Sequence, residues 1–303
     1  LVFTHFMLRV VIFLLAWFAT VFAFVALAAR WVPVVNHAVL VVAALSPHLT
    51  IGASLLAALS LWAASPRLAV LALLPAVVAA AIQLPSFIGS GKPAADSVAI
   101  RVLTANVREG LAEPGPLAAL ARDRADVFVL QELSPELASK LTGLESNFPY
   151  RAVDAQPYAA GIGVWSRYPI ERSSRDPGYQ LGVVTASLRV PGVSAPVSVL
   201  GAHLAGPFPQ SIDNWKQDIA AFPDTLADLA ATAGPGAAIV AGDLNATPDM
   251  RPFRNLLTGG FRNAAEQARV AALNMAHRGP TPLAELKGVT QINVLDTLGL
   301  IST

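Results

Sequence analysis

Residues 237–249 read AAIVAGDLNATPD, an apolar run that ends at Gly242 and is followed at once by Asp243, Leu244 and Asn245. Such a run predicts a buried strand that delivers a carboxylate and an amide to the edge of a sheet. The same residues are also typical of a simple turn, since Gly, Asp and Asn dominate turns. Similar strand ends elsewhere in the chain decide between the two interpretations.

Three other apolar segments end in the same way, with a polar side chain where the strand stops. VAIRVLTANV (98–107) carries Asn106, DVFVLQE (126–132) carries Glu132, and VSVLGAH (197–203) carries His203. Short helices, and a longer one with helical spacing at 215–232, lie between such segments. This pattern predicts an α/β sandwich with helices on the outer faces of its sheets.

The polar residues at these strand ends supply the groups that a metal-assisted hydrolase needs. A carboxylate binds a hard cation through oxygen, a second group places the attacking water, and a donor stabilises charge on phosphate. Taken singly, Asn106 fits an Asx turn, Glu132 fits a cap for a helix at Ser134-Pro135-Glu136, and His203 fits a satisfied core histidine. Their occurrence together, each at a strand end, favours one shared cleft.

The strings LTANVREG, VFVLQEL, GIGVWSRYPI, GAHL and AGDLNATPD together resemble the endonuclease/exonuclease/phosphatase superfamily, the DNase I-like proteins, over about residues 98–297. The resemblance implies a four-layer α/β sandwich with two facing sheets and one Mg²⁺, with Mn²⁺ as an alternative. It implies that Glu132 is the main metal ligand, with Asn106 nearby. Asp243 would orient or deprotonate the attacking water, and Asn245 would hydrogen-bond the phosphate or hold Asp243. His203 would stabilise the transition state or protonate the leaving group.

The sequence departs from the family pattern near its C-terminal end. The family usually ends on a strand with a Ser-Asp-His motif, and we expect that strand to be lacking here. Asn293 stands where the preceding strand usually carries an aspartate, while Asp296 falls on the opposite face of that strand. His277 is a candidate substitute, although a surface-loop histidine is the simpler interpretation. We therefore expect low phosphoesterase activity from this chain.

The N-terminal third has the composition of a membrane region. Hydrophobic residues make up 54% of the chain and charged residues 14%, yet residues 1–97 hold only four basic residues and one acid. Apolar stretches at 6–29, 38–64 and 68–84 predict about three transmembrane helices, or two if the segment around Pro47 is re-entrant. A cleaved signal peptide is the alternative for the first stretch. The expected organisation is a transmembrane region at 1–88, a linker at 89–97 and the family domain at 98–303.

Charge and cysteine content narrow the function classes. Residues 98–303 carry 21 − 4 = 17 basic and 20 − 1 = 19 acidic residues, which gives no support for a basic DNA clamp. The absence of cysteine excludes disulfides and thiolate metal sites. We expect a multi-pass cell-membrane protein whose partner is the lipid bilayer, with an extracytoplasmic phosphoesterase domain and no evident protein partner. Its substrate would be a lipid head group, a nucleotide or a nucleic acid. The alternative is an inactive binding module of the same fold.

Overall fold

The computed structural model describes residues 2–62, 65–87, 98–208, 210–264 and 291–295. The chain divides into two compact units. Residues 1–88 and 246–258 form a helical unit, and residues 89–245 and 259–303 form a sandwich unit. The predicted linker at 89–97 and the loop with His277 lie outside the described residues.

Over residues 2–62 and 65–87 the helical unit is built from apolar helices. These are α1 (Val2–Ala28), α2 (His37–Ala44), α3 (Ser46–Trp62), α4 (Pro66–Ala72) and α5 (Leu74–Gln83). Small side chains such as Ala16 on α1 and Ala57 on α3 are fully buried between helices, which lets the helix backbones approach closely. The large apolar side chains on the outside, such as Phe18 and Leu59, are exposed. Exposed apolar surface of this extent is what a helix in lipid requires.

Two stretches of the described helices are long and apolar enough to cross a membrane, one spanning Phe6–Trp31 and the other Pro66–Gln83. Helices α2 and α3 meet at a 73° bend and pass the same test only as a pair. The bend falls at Leu45, between the end of α2 at Ala44 and the start of α3 at Ser46, close to Pro47 as the proline-interrupted sequence predicts. The unit therefore has two or three apolar segments capable of spanning a bilayer.

The sandwich unit contains two mixed sheets. Its strands are β1 (Val102–Asn106), β2 (Val127–Gln131), β3 (Tyr150–Asp154), β4 (Ile162–Ser166), β5 (Ile170–Arg175), β6 (Val183–Leu188), β7 (Val197–His203), β8 (Ala238–Asp243) and β9 (Gln291–Leu295). One sheet has the order β3-β4-β2-β1-β9 and the other β5-β6-β7-β8. Among the described strands, each sheet has one parallel pair, β1 with β2 and β7 with β8.

Helices cover the outer faces of the sheets. They are α6 (Pro114–Arg124), α7 (Pro135–Lys140) and α8 (Ile212–Ala233). Leu103 and Phe128 pack with residues of α6 and α7 on one side of the first sheet. Val129 and Val164 of that sheet pack against Val199 and other side chains of the second sheet, forming the inner core. Helix α8 packs on β7 and β8. The unit is thus the helix–sheet–sheet–helix sandwich expected from the sequence.

The segment 246–258 belongs to the helical unit although the sequence suggested one continuous domain from 98 to 303. It carries the short helix α9 (Arg251–Leu256). Asp249 forms a buried ion pair with Arg30 at the end of α1 and accepts a 2.8 Å hydrogen bond from Gln83 Nε2. Arg254 donates to the Arg30 carbonyl and, at 2.8 Å, to the Asp249 carbonyl. These contacts hold the segment among the apolar helices.

Candidate active site

The two parallel strand pairs each bring two predicted residues to one edge of a sheet. Asn106, the last residue of β1, is in register with Gln131, which directly precedes Glu132. His203 and Asp243, the last residues of β7 and β8, are in register with each other. Because parallel strands end at the same edge, each pair presents its side chains together. A helix cap is not the role of Glu132, since Ser134 Oγ accepts the capping hydrogen bond from the Leu137 N–H at 3.2 Å.

The amide of Asn106 links the two sheets' carboxylates. Its Nδ2 donates to Glu132 Oε1 at 2.8 Å and to Asp243 Oδ2 at 3.2 Å. Its Oδ1 accepts a 2.9 Å hydrogen bond from the backbone N–H of Arg108, which fixes the orientation of the amide. Asn106 was expected as a metal ligand beside Glu132. In this structure its nitrogen faces the carboxylates and holds them close together.

His203 is buried, with 2% of its surface exposed. Its ring lies between a backbone carbonyl on one side and the carboxylate of Glu132 on the other. Its Nδ1 lies 3.2 Å from the Ala159 carbonyl oxygen, an acceptor to which a protonated Nδ1 donates. Its Nε2 lies 3.9 Å from Glu132 Oε1. The ring is therefore held from behind by a backbone carbonyl while its other nitrogen faces the carboxylate pair.

Asp243 and Asn245 are placed by a tight loop at the end of β8. Gly242 has φ 157°, and a Cβ there would lie 1.8 Å from the Ala202 carbonyl oxygen, so this approach of β8 to β7 requires glycine. The Asn245 N–H donates to Asp243 Oδ1 at 3.0 Å, and the Asn245 side chain donates to the Leu204 carbonyl at 2.9 Å. The loop forms an Asx turn, as the alternative interpretation of the sequence had it, and the turn is part of the site.

Left-handed backbone conformations collect around these residues. Five described non-glycine residues have φ between 48° and 60°, namely Arg108, Glu109, Glu132, Tyr158 and Asn245. The N–H of Glu109 donates to Glu132 Oε2 at 2.8 Å, and Tyr158 directly precedes the residue that holds His203. Such conformations cost about 1–3 kcal/mol each and persist where the surroundings impose them, often at active sites.

The residues present fit one hard divalent cation. Within the described part of the chain, no three Asp, Glu, His or Cys side chains form a complete protein-only metal site. Mg²⁺ does not need one, because it keeps several waters and binds through one or two carboxylates. Glu132 and Asp243 accept from the same amide nitrogen, at 2.8 and 3.2 Å, so a cation held by Glu132 would lie near a second carboxylate. Glu132 is the candidate ligand and Asp243 its neighbour.

All five residues predicted from the strand ends therefore come together. The sequence did not predict the backbone groups that hold them, the N–H of Glu109 and the carbonyls of Ala159 and Leu204, because a backbone group leaves no mark in residue identity. Asn293 lies on β9 opposite Thr104 of β1. His277, Asp296 and the expected loss of a terminal strand lie outside the described residues.

Comparison with known proteins finds one family model, the Endonuclease/Exonuclease/phosphatase family, matching residues 103–291. No curated protein matches. Among solved structures, sphingomyelinase C from Streptomyces griseocarneus is 21% identical, with a TM-score of 0.43, over 54% of this chain and 70% of its own. Humanized D. rerio TDP2 is 19% identical, with a TM-score of 0.41, over 52% of this chain and 66% of its own. A beta toxin variant from Staphylococcus aureus with bound magnesium ions is 15% identical, with a TM-score of 0.41, over 53% of this chain and 70% of its own.

Proposed function

Since this chain belongs to the endonuclease/exonuclease/phosphatase family, we propose that it is a Mg²⁺-dependent phosphoesterase tethered to a membrane by its N-terminal helices. The observation that carries the proposal is the pair of carboxylates, Glu132 and Asp243, joined through the Asn106 amide with His203 beside them. Metal-dependent hydrolysis of a phosphate ester needs such a set of groups. One carboxylate binds the cation, one positions the attacking water, and a hydrogen-bond donor stabilises the developing charge.

The side chains divide these tasks by position. Glu132 would hold the cation, which when bound supplies a Lewis acid for the phosphoryl oxygens. Asp243 would accept a proton from the attacking water, because its Oδ2 bonds only the shared Asn106 amide among the contacts described here and its Oδ1 is fixed by the Asn245 N–H. His203 Nε2 would donate to the phosphate or the leaving group, and Asn245 Nδ2 has one further hydrogen available for a phosphate oxygen.

The proposed membrane tether is supported by the apolar helices, and it bears on the substrate. A site fixed to a bilayer meets lipid head groups at high effective concentration, which favours a phospholipid over a soluble nucleotide. Both substrate classes are phosphate esters, so the geometry of the site does not distinguish them. An assay with each class is needed.

The test uses the full chain, recovered from membranes that have been washed with carbonate and reconstituted in nanodiscs. Release of nitrophenol from a bis-nitrophenyl phosphate and from a nitrophenyl phosphate is measured while Mg²⁺ and Mn²⁺ are titrated. We expect low, metal-dependent turnover that Glu132→Gln lowers by at least about a further 100-fold, because the cation loses its main charged ligand. Glu136→Gln, on the exposed face of α7, is the matched control.

Three outcomes would count against the proposal. Turnover that persists in chelator would show that the reaction needs no metal, and turnover that persists in Glu132→Gln would show that Glu132 is not the metal ligand. Absence of turnover on every phosphate ester, with a folded and metal-binding protein, would favour the inactive binding module. Release of the full chain from membranes by carbonate would contradict the tether. Hydrolysis of phospholipid vesicles and of dinucleotides in parallel assigns the substrate class.

A further inference from the structure

A buried carboxylate outside the predicted set lies behind the candidate site. Asp218 is on helix α8 and has 2% of its surface exposed. Its Oδ2 accepts a 2.9 Å hydrogen bond from the backbone N–H of Ala205, two residues after His203. The Asp218 carboxylate also accepts a hydrogen bond from the backbone N–H of Gln180, in the loop before β6. Its negative charge interacts with His203 as well.

The hydrogen bond to Ala205 reaches the site through a single peptide group. The Ala205 N–H and the Leu204 carbonyl belong to the same planar amide. Asp218 binds the N–H side of that plane at 2.9 Å, and Asn245 Nδ2 donates to the carbonyl side at 2.9 Å. Because the plane is rigid, a carboxylate that fixes one side also fixes the acceptor on the other.

This arrangement determines which way the Asn245 amide points. A carboxylate at the N–H of a peptide also polarises its carbonyl, which strengthens the carbonyl as an acceptor. Asn245 is thereby held with its nitrogen toward Leu204, and Asn245 is the residue whose own N–H holds Asp243. The Leu204 N–H completes the connection, since it donates to the Asp243 carbonyl at 3.0 Å.

Stability alone is a poor explanation for a charged group at this position. Burial raises the pKa of Asp218 above its ordinary value, although the hydrogen bonds from Ala205 and Gln180 and the nearby His203 act in the opposite direction. A raised pKa means that folding disfavours the ionised form, so the charge costs stability at neutral pH. The cost is consistent with a role in the geometry of the site.

We propose that Asp218 is a positioning residue of the phosphoesterase: it fixes the Leu204–Ala205 peptide and, through it, the orientation of Asn245 and the backbone that carries His203. This inference rests on the proposed function. In this proposal Asp218 acts mainly by holding the peptide, while its charge also lies near His203.

The experiment measures kcat, KM and amide hydrogen exchange for Asp218→Asn in the full, reconstituted chain. We expect kcat to fall about 10- to 100-fold with KM within about twofold, because small displacements of catalytic groups cost this much. Exchange should rise in peptides covering 203–206 and 243–246 and stay unchanged in β1 and β2. Asp218→Glu, which keeps the charge, should recover part of the lost kcat.

Two control variants separate positioning from folding. Asp228→Asn removes an exposed carboxylate from the same helix and should leave both readouts unchanged. Leu226→Ala removes a buried apolar side chain of α8 and should lower the melting temperature while kcat per folded molecule is kept. If Asp218→Asn behaves like Leu226→Ala, with lower stability and a normal kcat, the proposal is wrong.

The amide hydrogen exchange measurement tests this inference separately from the proposed function. If the wild-type chain hydrolyses no phosphate ester, the proposed function fails, and exchange at 203–206 and 243–246 still decides whether Asp218 orders the loops. Unchanged exchange in Asp218→Asn overturns the positioning role whatever the activity of the wild-type protein.

Discussion

At the scale of single residues, Asn106 is the link on which the carboxylate pair depends. Replacing it with Asp would remove both amide donors and add a third negative charge beside Glu132 and Asp243. Like charges at this distance destabilise the fold unless a cation compensates them. We expect Asn106→Asp to lower the melting temperature in chelator and to show a larger stabilisation by Mg²⁺ than the wild type.

Differential scanning fluorimetry with and without Mg²⁺ checks this prediction. Asn147→Asp, a partly buried asparagine outside the candidate site, is the control and should show no added response to the cation. An Asn106→Asp protein that is as stable as the wild type in chelator would mean that the added carboxylate is not repelled by Glu132 and Asp243, and the prediction would be wrong.

The candidate site could be predicted from the sequence as far as its side chains are concerned. Asn106, Glu132, His203 and Asp243 stand where apolar runs stop, and strand ends are readable from that change. The geometry that orders them was not readable. It depends on left-handed backbone at Glu132 and Asn245 and on backbone carbonyls, which residue types do not encode.

At the scale of elements, three of the four strands predicted from apolar runs that end in a polar residue are buried at every residue, namely β1, β2 and β7, while β8 is mostly half-buried. Of these, β2 and β7 appear in the sequence as continuous apolar runs. β3 and β5 were not predicted, and their residues are mostly exposed. They lie at the edges of their sheets and carry charged side chains such as Arg151 and Arg175, so they lack an apolar pattern.

The start of the β1–β2 pair is fixed by one carboxylate. Asp126 Oδ2 accepts hydrogen bonds from the Arg101 N–H at 2.8 Å and Nε at 3.1 Å, and Oδ1 accepts from Nη2 at 2.7 Å. Burial alone would raise the pKa of Asp126, but the hydrogen bonds and charge of Arg101, together with the charge of Arg167, hold it below its ordinary value. The ionised form is therefore favoured by folding.

This lowered pKa predicts a pH-dependent contribution to stability. A depressed folded-state pKa gives stability that is present above the unfolded value of about 3.8 and is lost as pH falls through the folded value. At neutral pH we expect Asp126→Asn to lower the free energy of unfolding by about 1–2 kcal/mol, because the Arg101 side chain is partly solvent-screened. The difference from wild type should shrink below about pH 4.

Denaturant titration at several pH values measures both effects. Asp123→Asn, an exposed neighbour in the last turn of α6, should match the wild type throughout. A difference between Asp126→Asn and wild type that stays constant down to about pH 2 would show that the charge of Asp126 is not what stabilises the pair.

At the scale of the whole molecule, the sequence suggested a simple division between membrane helices and a soluble domain. The contacts assign 246–258 to the helical unit instead, because Asp249 pairs with Arg30 and Gln83. A pairing between residues so far apart in the chain has no local signal. A fragment from 98 to 303 keeps Asp249 and lacks both partners, so assays belong on the full chain.

The Arg30–Asp249 pair should behave as a coupled unit. Both side chains are about nine-tenths buried, and breaking a buried ion pair costs about 3–5 kcal/mol because the remaining charge is left without a partner. We expect Asp249→Asn and Arg30→Gln each to destabilise the full chain by about 3 kcal/mol, and the double variant to cost much less than their sum.

Thermal or denaturant unfolding of the wild type, the two single variants and the double variant in one detergent gives the coupling energy between Arg30 and Asp249. Asp154→Asn, which removes a partly exposed partner of Arg175, is the control and should cost far less. Additive effects of the two substitutions would show that Arg30 and Asp249 act independently.

The same ion pair has a consequence for how the protein is made. Asp249, the counter-charge of Arg30, follows it in the chain by 249 − 30 = 219 residues. At about 5–20 residues per second, translation takes roughly 10–45 s to supply that distance. For this interval the apolar helices hold an arginine whose counter-charge has not yet been synthesised. The helical unit can therefore complete its buried ion pair only after residue 249 has been made.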